Sequence, residues 1–350
     1  MFLLSKRASS SMEESGPENK TKWSVNIQFG RGIACLCVVI SHFFQIKILG
    51  DYGVDLFFII SGFLMTSILV SEFDKYGRIR LLEFLCKRIR RLAPVAYVMI
   101  VVIIVMAWLG VIPGSKEDYF LLGFGYSLYL GNFFGLLPNS SNSTAIGFAH
   151  YWTLAVEMQL YLIWSIIIIP GIHFFKYSVK IASLIILTFV VLPLVTLLTR
   201  EIPQSIAHRT LEVTAMFTLG SVFYFLDLRY KVNRHPLVGI LVFIVSISLI
   251  LQTMTKLDQS HFFTIYNNLL LIGVLYQTVL ILRSTCLLKC LAKVGDVSYS
   301  LYLIHWPIFL AIGGQAASIQ MLVLGLAMSL ILSILTFRYI ESHFWKPKRV

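Results

Sequence analysis

The sequence predicts an all-α integral membrane protein. It has about ten transmembrane helices plus one re-entrant or broken hydrophobic segment, and both termini are cytoplasmic. Three observations predict this. First, 57% of the 350 residues are hydrophobic, mean hydropathy is +0.81 and only 13% are charged; soluble domains carry roughly a quarter. Second, eleven apolar stretches are long enough to cross ~30 Å of hydrocarbon as helices. Third, the basic residues segregate to one side once those stretches are threaded through a bilayer. The same arithmetic excludes a disordered chain, a collagen and a disulfide-stapled miniprotein. The 29 Lys and Arg against 17 Asp and Glu give +12. In so apolar a chain that excess orients the protein in a lipid bilayer, and no nucleic-acid partner is expected.

The stretches are 30–49, 53–71, 93–112, 119–137, 150–170, 179–199, 210–228, 236–254, 262–283, 297–314 and 317–340. Residues 1–29 are polar and read as a flexible cytoplasmic tail, 30–341 as the transmembrane domain and 342–350 as a second cytoplasmic tail. No small-residue cleavage site follows the first stretch, so no cleaved signal peptide is read. The segment 119–137 is the odd member. Its four glycines, Asn132 and the adjoining Pro138 make it a poor continuous helix. If it enters and returns on one side, the loops 72–92, 171–180, 229–235 and 283–293 join both termini in the cytoplasm. That face then holds 24 of the 29 basic residues, and the other keeps Lys47, Lys116, Arg200, Arg209 and Lys256. A crossing at 119–137 would reverse every later loop, so ten spans fit the positive-inside bias. Cys35, Cys37, Cys86, Cys286 and Cys290 all fall on the reducing or buried side, where neither disulfides nor a metal site is expected.

Ionisable groups within the spans are the candidate functional residues, because polar groups in hydrocarbon are expensive. His42 lies seven residues before the outer end of 30–49, and Glu157 seven residues past His150. At 1.5 Å per residue both sit ~10 Å below the outer surface. They can form an acid–base pair, or a purely structural hydrogen bond. Arg31 is eleven residues before His42, so the two share one helix face about 16 Å apart. That face offers a cation to the cytoplasm and an imidazole to the membrane interior; a snorkelling, orienting Arg is the plainer alternative. Lys87, Arg88, Arg90 and Arg91 precede Pro94, which is expected to open the third span. Arg88 and Arg91 are helical neighbours able to grip one phosphate, or to serve topology and anionic lipid. Asp55 marks the outer start of the second span. Glu212 is expected to pair locally with Arg209. His305 lies mid-span beside Pro307, Tyr302 and Trp306. No P-loop, dinucleotide fingerprint, zinc-protease motif or serine-hydrolase elbow is present.

Five segments resemble motifs of the acyltransferase-3 family of multi-pass membrane O-acyltransferases. They are Arg31-Gly32-Ile33-Ala34 with His42, GVDLFFIISGFLM at 53–65, and Arg88-Ile-Arg-Arg91-Leu-Ala-Pro94. The others are Trp152-Thr-Leu-Ala-Val-Glu157 with Tyr161, and Val297-Ser-Tyr-Ser-Leu-Tyr-Leu-Ile-His-Trp-Pro307. The resemblance runs from about residue 27 to 345. The family's acidic residue before the opening Arg-Gly is replaced by Gln28-Phe29-Gly30, and Ser342-His343 follows Glu341 where a proline is common. What the resemblance implies is an acyl group, usually acetyl, taken from cytoplasmic acetyl-CoA and passed to a glycan hydroxyl at the outer side. The setting would be the bacterial cytoplasmic (inner) membrane, and the chain the stand-alone type without a hydrolase-like domain. His42 would be the catalytic histidine with Glu157 its partner, and Arg31, Arg88 and Arg91 would bind the acyl-CoA. Asp55, Trp152, Tyr299 and His305, within the matching motifs, are candidate substrate-binding residues. Direct general-base transfer and an acyl-histidine intermediate both remain open. A proton-coupled transporter or flippase is the rival class; the absence of an internal repeat counts against it.

Overall fold

A computed structural model describes residues 17–134, 146–175, 206–230 and 286–344. Among them every regular element is helical, and no strand occurs. The spans expected at 179–199, 236–254 and 262–283 lie outside the described residues. The long helices are α1 (Pro17–Phe44), α2 (Lys47–Tyr76) and α3 (Leu81–Trp108). After the short α4 (Lys116–Ser127) and α5 (Gly131–Phe134) come α6 (Tyr151–Phe175) and α7 (Ile206–Tyr230). Then follow α8 (Cys286–Asp296), α9 (Ser298–Ala311) and α10 (Ile319–Thr336). Phe337–Glu341 is a π-helical turn, and α11 (Ser342–Phe344) closes the described chain. Among the described residues, four helical segments are long and apolar enough to cross a membrane: Val25–Phe44, Leu49–Tyr76, Leu81–Trp108 and Ile319–Phe344.

The expected loop 283–293 is largely helical, as α8, and α6 runs into the expected loop 171–180; three further departures bear on the site. The first helix begins at Pro17, so 17–29 of the expected tail are helical. It also ends earlier than expected, at Phe44, where Gln45 takes φ 59° and turns the chain into α2. Finally, α3 runs unbroken through Pro94, which places the basic run inside the helix and not ahead of it. Pro94 lacks an N–H, so it frees the Arg90 carbonyl; packing on both sides carries the helix past it, with Leu92, Ala93, Val95 and Ala96 all buried.

α10 shows why this bundle belongs in lipid. Its buried residues are Gly325, Ser329 and Ser333, spaced by four. Its exposed face carries Val323, Leu324, Ile331, Ile334 and Leu335. A water-soluble helix has the reverse pattern. Here small residues allow close packing, and the large apolar side chains meet lipid. The serine hydroxyls are satisfied within the helix: Ser329 donates to the Gly325 carbonyl at 2.7 Å and Ser333 to that of Leu330 at 2.7 Å.

Glycines set the closest crossings. A Cβ on Gly62 of α2 would lie 1.8 Å from the Phe217 carbonyl oxygen of α7, and one on Gly220 would lie 1.9 Å from that of Ile59. Beside this crossing the Thr66 hydroxyl bonds Ser221 Oγ at 2.8 Å, and Trp164 Nε1 donates to Thr66 Oγ1 at 2.9 Å. α1 and α8 meet in the same way through Gly32 and Gly295.

The glycine-rich segment is broken as expected. α4 starts at an N-cap, Ser115, whose side chain accepts from the Asp118 amide. It runs back along α3, with Gly123 against Ile100 and Ile104, and Tyr97 donates to the Ser127 carbonyl at 3.2 Å. A turn with Tyr129 at φ 57° leads to α5. There Gln159 of α6 donates to the Tyr129 carbonyl at 2.9 Å and to Asn132 Oδ1 at 2.8 Å. Where the described chain resumes it is again beside the start of α4, because Tyr119 OH accepts from the Gly147 amide at 3.0 Å.

Candidate active site

α1, α2, α3, α6 and α9 surround an open-sided cavity of about 810 Å³, the solvent at its mouth included. Arg31 enters from α1, and Arg88 and Arg91 from α3 one turn apart. Nε of Arg88 is buried without a hydrogen-bond partner among the described residues. Apolar walls come from Val54, Phe57, Phe58 and Leu64 of α2, with Leu92 of α3. Three guanidinium groups above an apolar shaft suit a ligand that is anionic at one end and neutral along its length.

Glu157 projects from α6 into this cavity and accepts from Ser61 Oγ at 2.9 Å and from the Tyr161 hydroxyl one turn along its own helix. Tyr299 of α9 also lines the cavity and donates to the Leu92 carbonyl at 2.5 Å, tying α9 to α3. Tyr302 and Thr153 stand at the far end from the arginines with hydroxyls 2.6 Å apart; Tyr302 OH also donates to the His150 carbonyl at 3.1 Å.

Beyond that pair sit three imidazoles. His42 Nδ1 is 2.8 Å from His305 Nε2, with the rings 12° from parallel. The ring of His150 lies 5.7 Å from that of His305, and Trp306 sets its edge on His42 at 4.7 Å. His42 is not on the cavity wall, and no hydrogen bond joins it to Glu157. The expected equal depth fails because α1 ends two residues after His42. His42 therefore lies level with His150, and seven residues of α6 separate that level from Glu157, about 10 Å.

The remaining candidates scatter. Asp55 is buried in the N-terminal part of α2 and lies 3.5 Å from Arg209, which also reaches Asp51 at 3.3 Å and Glu212 at 2.6 Å. The expected Arg209–Glu212 pair is thus present, widened into a cluster that pins α7 to α2. Trp152 packs on the main core and does not line the cavity. Sequence reasoning left His150, Ser61, Tyr302 and Thr153 without roles. A partial signal existed: Tyr302 and His305, three residues apart, fall on one face of α9, as Thr153 and Glu157 do on α6. Among the described residues, no group of three His, Cys, Asp or Glu is arranged to hold a metal ion.

A bundle with large apolar side chains on its exterior, an arginine-lined cavity and an imidazole cluster beside it defines an all-helical protein of the membrane-embedded class. The chain belongs to the acyltransferase-3 family, whose profile, described as an acyltransferase domain, matches residues 24–338. This bears out the resemblance read from its motifs. It is 26% identical over 341 residues to "O-acetyltransferase OatA" of Staphylococcus aureus (strain NCTC 8325 / PS 47), covering 89% of this chain and 55% of that protein. It is 25% identical over 350 residues to "Peptidoglycan O-acetyltransferase OatA" of Listeria monocytogenes, covering 92% and 56%. The chain thus spans about half the length of these relatives. No solved structure matches it.

Proposed function

We propose that the protein is a membrane O-acetyltransferase. It takes an acetyl group from cytoplasmic acetyl-CoA and passes it to a hydroxyl of a cell-surface or lipid-linked glycan on the outer side. In this reading the bacterial cytoplasmic membrane is crossed ten times, 119–137 enters and returns on the outer side, and both termini are cytoplasmic. The observation that carries it is the convergence of Arg31, Arg88 and Arg91 on one apolar-walled cavity. The phosphates of coenzyme A would stay with these cations near the cytoplasm, since charge does not cheaply enter hydrocarbon. The uncharged pantetheine arm would lie along the wall past Tyr299 toward Tyr302. The family membership and the O-acetyltransferase relatives support the chemistry, and the peptidoglycan O-acetyltransferase of Listeria makes peptidoglycan the first acceptor to try.

A sugar hydroxyl is a poor nucleophile at neutral pH. In the proposed step His42 takes its proton while the oxygen attacks the thioester carbonyl. The carbon–sulfur bond then breaks, and the departing thiolate takes the proton back from the imidazolium. Help of this kind is worth about 10²–10⁴-fold. Glu157 is assigned to the cavity wall, where its carboxylate faces the guanidinium groups and is ordered by Ser61 and Tyr161. His305, in contact with His42, remains assigned to the acceptor side of the site, while Asp55 in the Arg209 cluster and Trp152 on the core are assigned to the scaffold around it.

The test is transfer by the purified, membrane-reconstituted protein from labelled acetyl-CoA to a peptidoglycan fragment. Acetylated product is expected from the native protein and none from His42→Ala. Full transfer by a folded His42→Ala variant would remove His42 from the chemistry. Glycan movement across the vesicle without any acetylated product would make the protein a carrier.

A further inference from the structure

The tautomer of His42 follows from a chain of three contacts, and it gives His305 a role beyond acceptor binding. His305 Nδ1 lies 3.2 Å from the Leu301 carbonyl oxygen, one turn back in α9. A carbonyl only accepts, so Nδ1 of His305 carries the hydrogen. In a neutral ring the other nitrogen, Nε2, is then an acceptor. Nε2 is the atom 2.8 Å from His42 Nδ1. His42 Nδ1 must therefore donate, which leaves Nε2 of His42 with the free lone pair. The near-parallel rings, 12° apart, fit an in-plane N–H···N contact, and the Trp306 edge limits rotation of the His42 ring.

We infer that His305 is a positioning residue. It holds His42 in the Nδ1–H tautomer through its own bond to the Leu301 carbonyl and presents Nε2 of His42 as the base. The inference rests on the proposed transfer reaction for its catalytic meaning, and on geometry alone for the tautomer. Pro307 contributes from the same helix. It has no N–H to offer the Leu303 carbonyl, a break in the hydrogen bonding of an otherwise continuous α9, and beside it Trp306 donates from Nε1 to the Ile146 carbonyl at 2.7 Å. The Leu301 carbonyl lies a half-turn before that break, on the intact part of the helix.

Two measurements test this on the full-length protein in lipid. The first is solid-state NMR with 15N-labelled histidine, assigning the His42 signal by its loss in His42→Gln. A proton on Nδ1 is expected in the native protein and a mixture of tautomers in His305→Phe; a native His42 carrying its proton on Nε2 overturns the inference. The second is kinetics. His305→Phe should lower kcat by about 10²-fold with KM for acetyl-CoA unchanged. His305→Gln, whose side-chain carbonyl can accept from Nδ1–H, should recover most of that loss. Full kcat in His305→Phe, or no recovery in His305→Gln with the Nδ1 proton retained, overturns the positioning role. If His42→Ala still transfers acetyl, the function reading fails, and the NMR result alone then decides the tautomer.

Discussion

Gly62 of α2 and Gly220 of α7 face each other across a crossing so close that a Cβ on either would fall within 2 Å of the other helix's carbonyl oxygen. Lipid supplies no hydrophobic drive to hold two apolar helices together, so contact of this kind and the hydrogen bonds beside it must. The Thr66–Ser221 bond exists because the backbones are this near.

Gly62→Ala and Gly220→Ala should therefore each destabilise the bundle by about 1–3 kcal/mol. Gly77→Ala is the control, since nothing lies within 4 Å of its added Cβ and only its positive φ of 66° is strained. Its cost should be near 1 kcal/mol. Thermal melting in detergent reads the order; equal effects at Gly62 and Gly77 would contradict the close crossing.

Arg209 is shared by Asp51, Asp55 and Glu212. Arg209→Ala removes the shared cation; because Arg209 is 23% and Asp51 42% exposed, the cost should fall below the about 3–5 kcal/mol of a fully buried pair. Adding Asp55→Asn should return part of that stability. Folded yield and melting temperature check it. A single Asp55→Asn that melts like the native protein but loses acceptor affinity would place Asp55 against the acceptor and not in the scaffold.

Under the proposed function, Arg88→Ala should raise KM for acetyl-CoA with little change in kcat, since a guanidinium holding the donor's phosphates would do so in ground state and transition state alike. Arg88→Lys should recover only part, because a single ammonium cannot make the paired contact of a guanidinium. Donor titration in the transfer assay measures both. An unchanged KM would return Arg88 to topology or lipid binding.

Glu157→Gln should leave the His42 tautomer as it is in the native protein, because no hydrogen bond links the two. It should instead alter donor binding, since the carboxylate shares the cavity with three arginines. Histidine 15N spectra and donor titration separate these effects. A shifted His42 tautomer would restore the direct pairing expected from depth.

Much of this was legible in the sequence because bilayer physics is blunt. Twenty apolar residues announce a helix, and an arginine or histidine among them announces a purpose. Arg31, Arg88 and Arg91 fell into one cavity because charges at one level of an apolar bundle have few places to go. The break near residue 128 was visible as glycine. What stayed hidden was register. The end of α1 depends on a left-handed Gln45, which no hydropathy average reveals, and an error of five residues moved His42 by more than one turn. Partner choice was hidden for the same reason: His305 reaches His42 only because α1 and α9 run side by side, Cys35 Sγ meeting the Ser298 carbonyl at 3.3 Å and His42 meeting His305 seven residues further along each.

The hydroxyl pair of Tyr302 and Thr153 has a mechanical consequence. Tyr302 OH also reaches the His150 carbonyl, as does Thr153 Oγ1, so the start of α6 and the middle of α9 are clasped by three oxygens. Losing either hydroxyl unfastens the two helices at the point where the cavity gives way to the imidazoles, so a residue as small as threonine keeps the two compartments of the site in step.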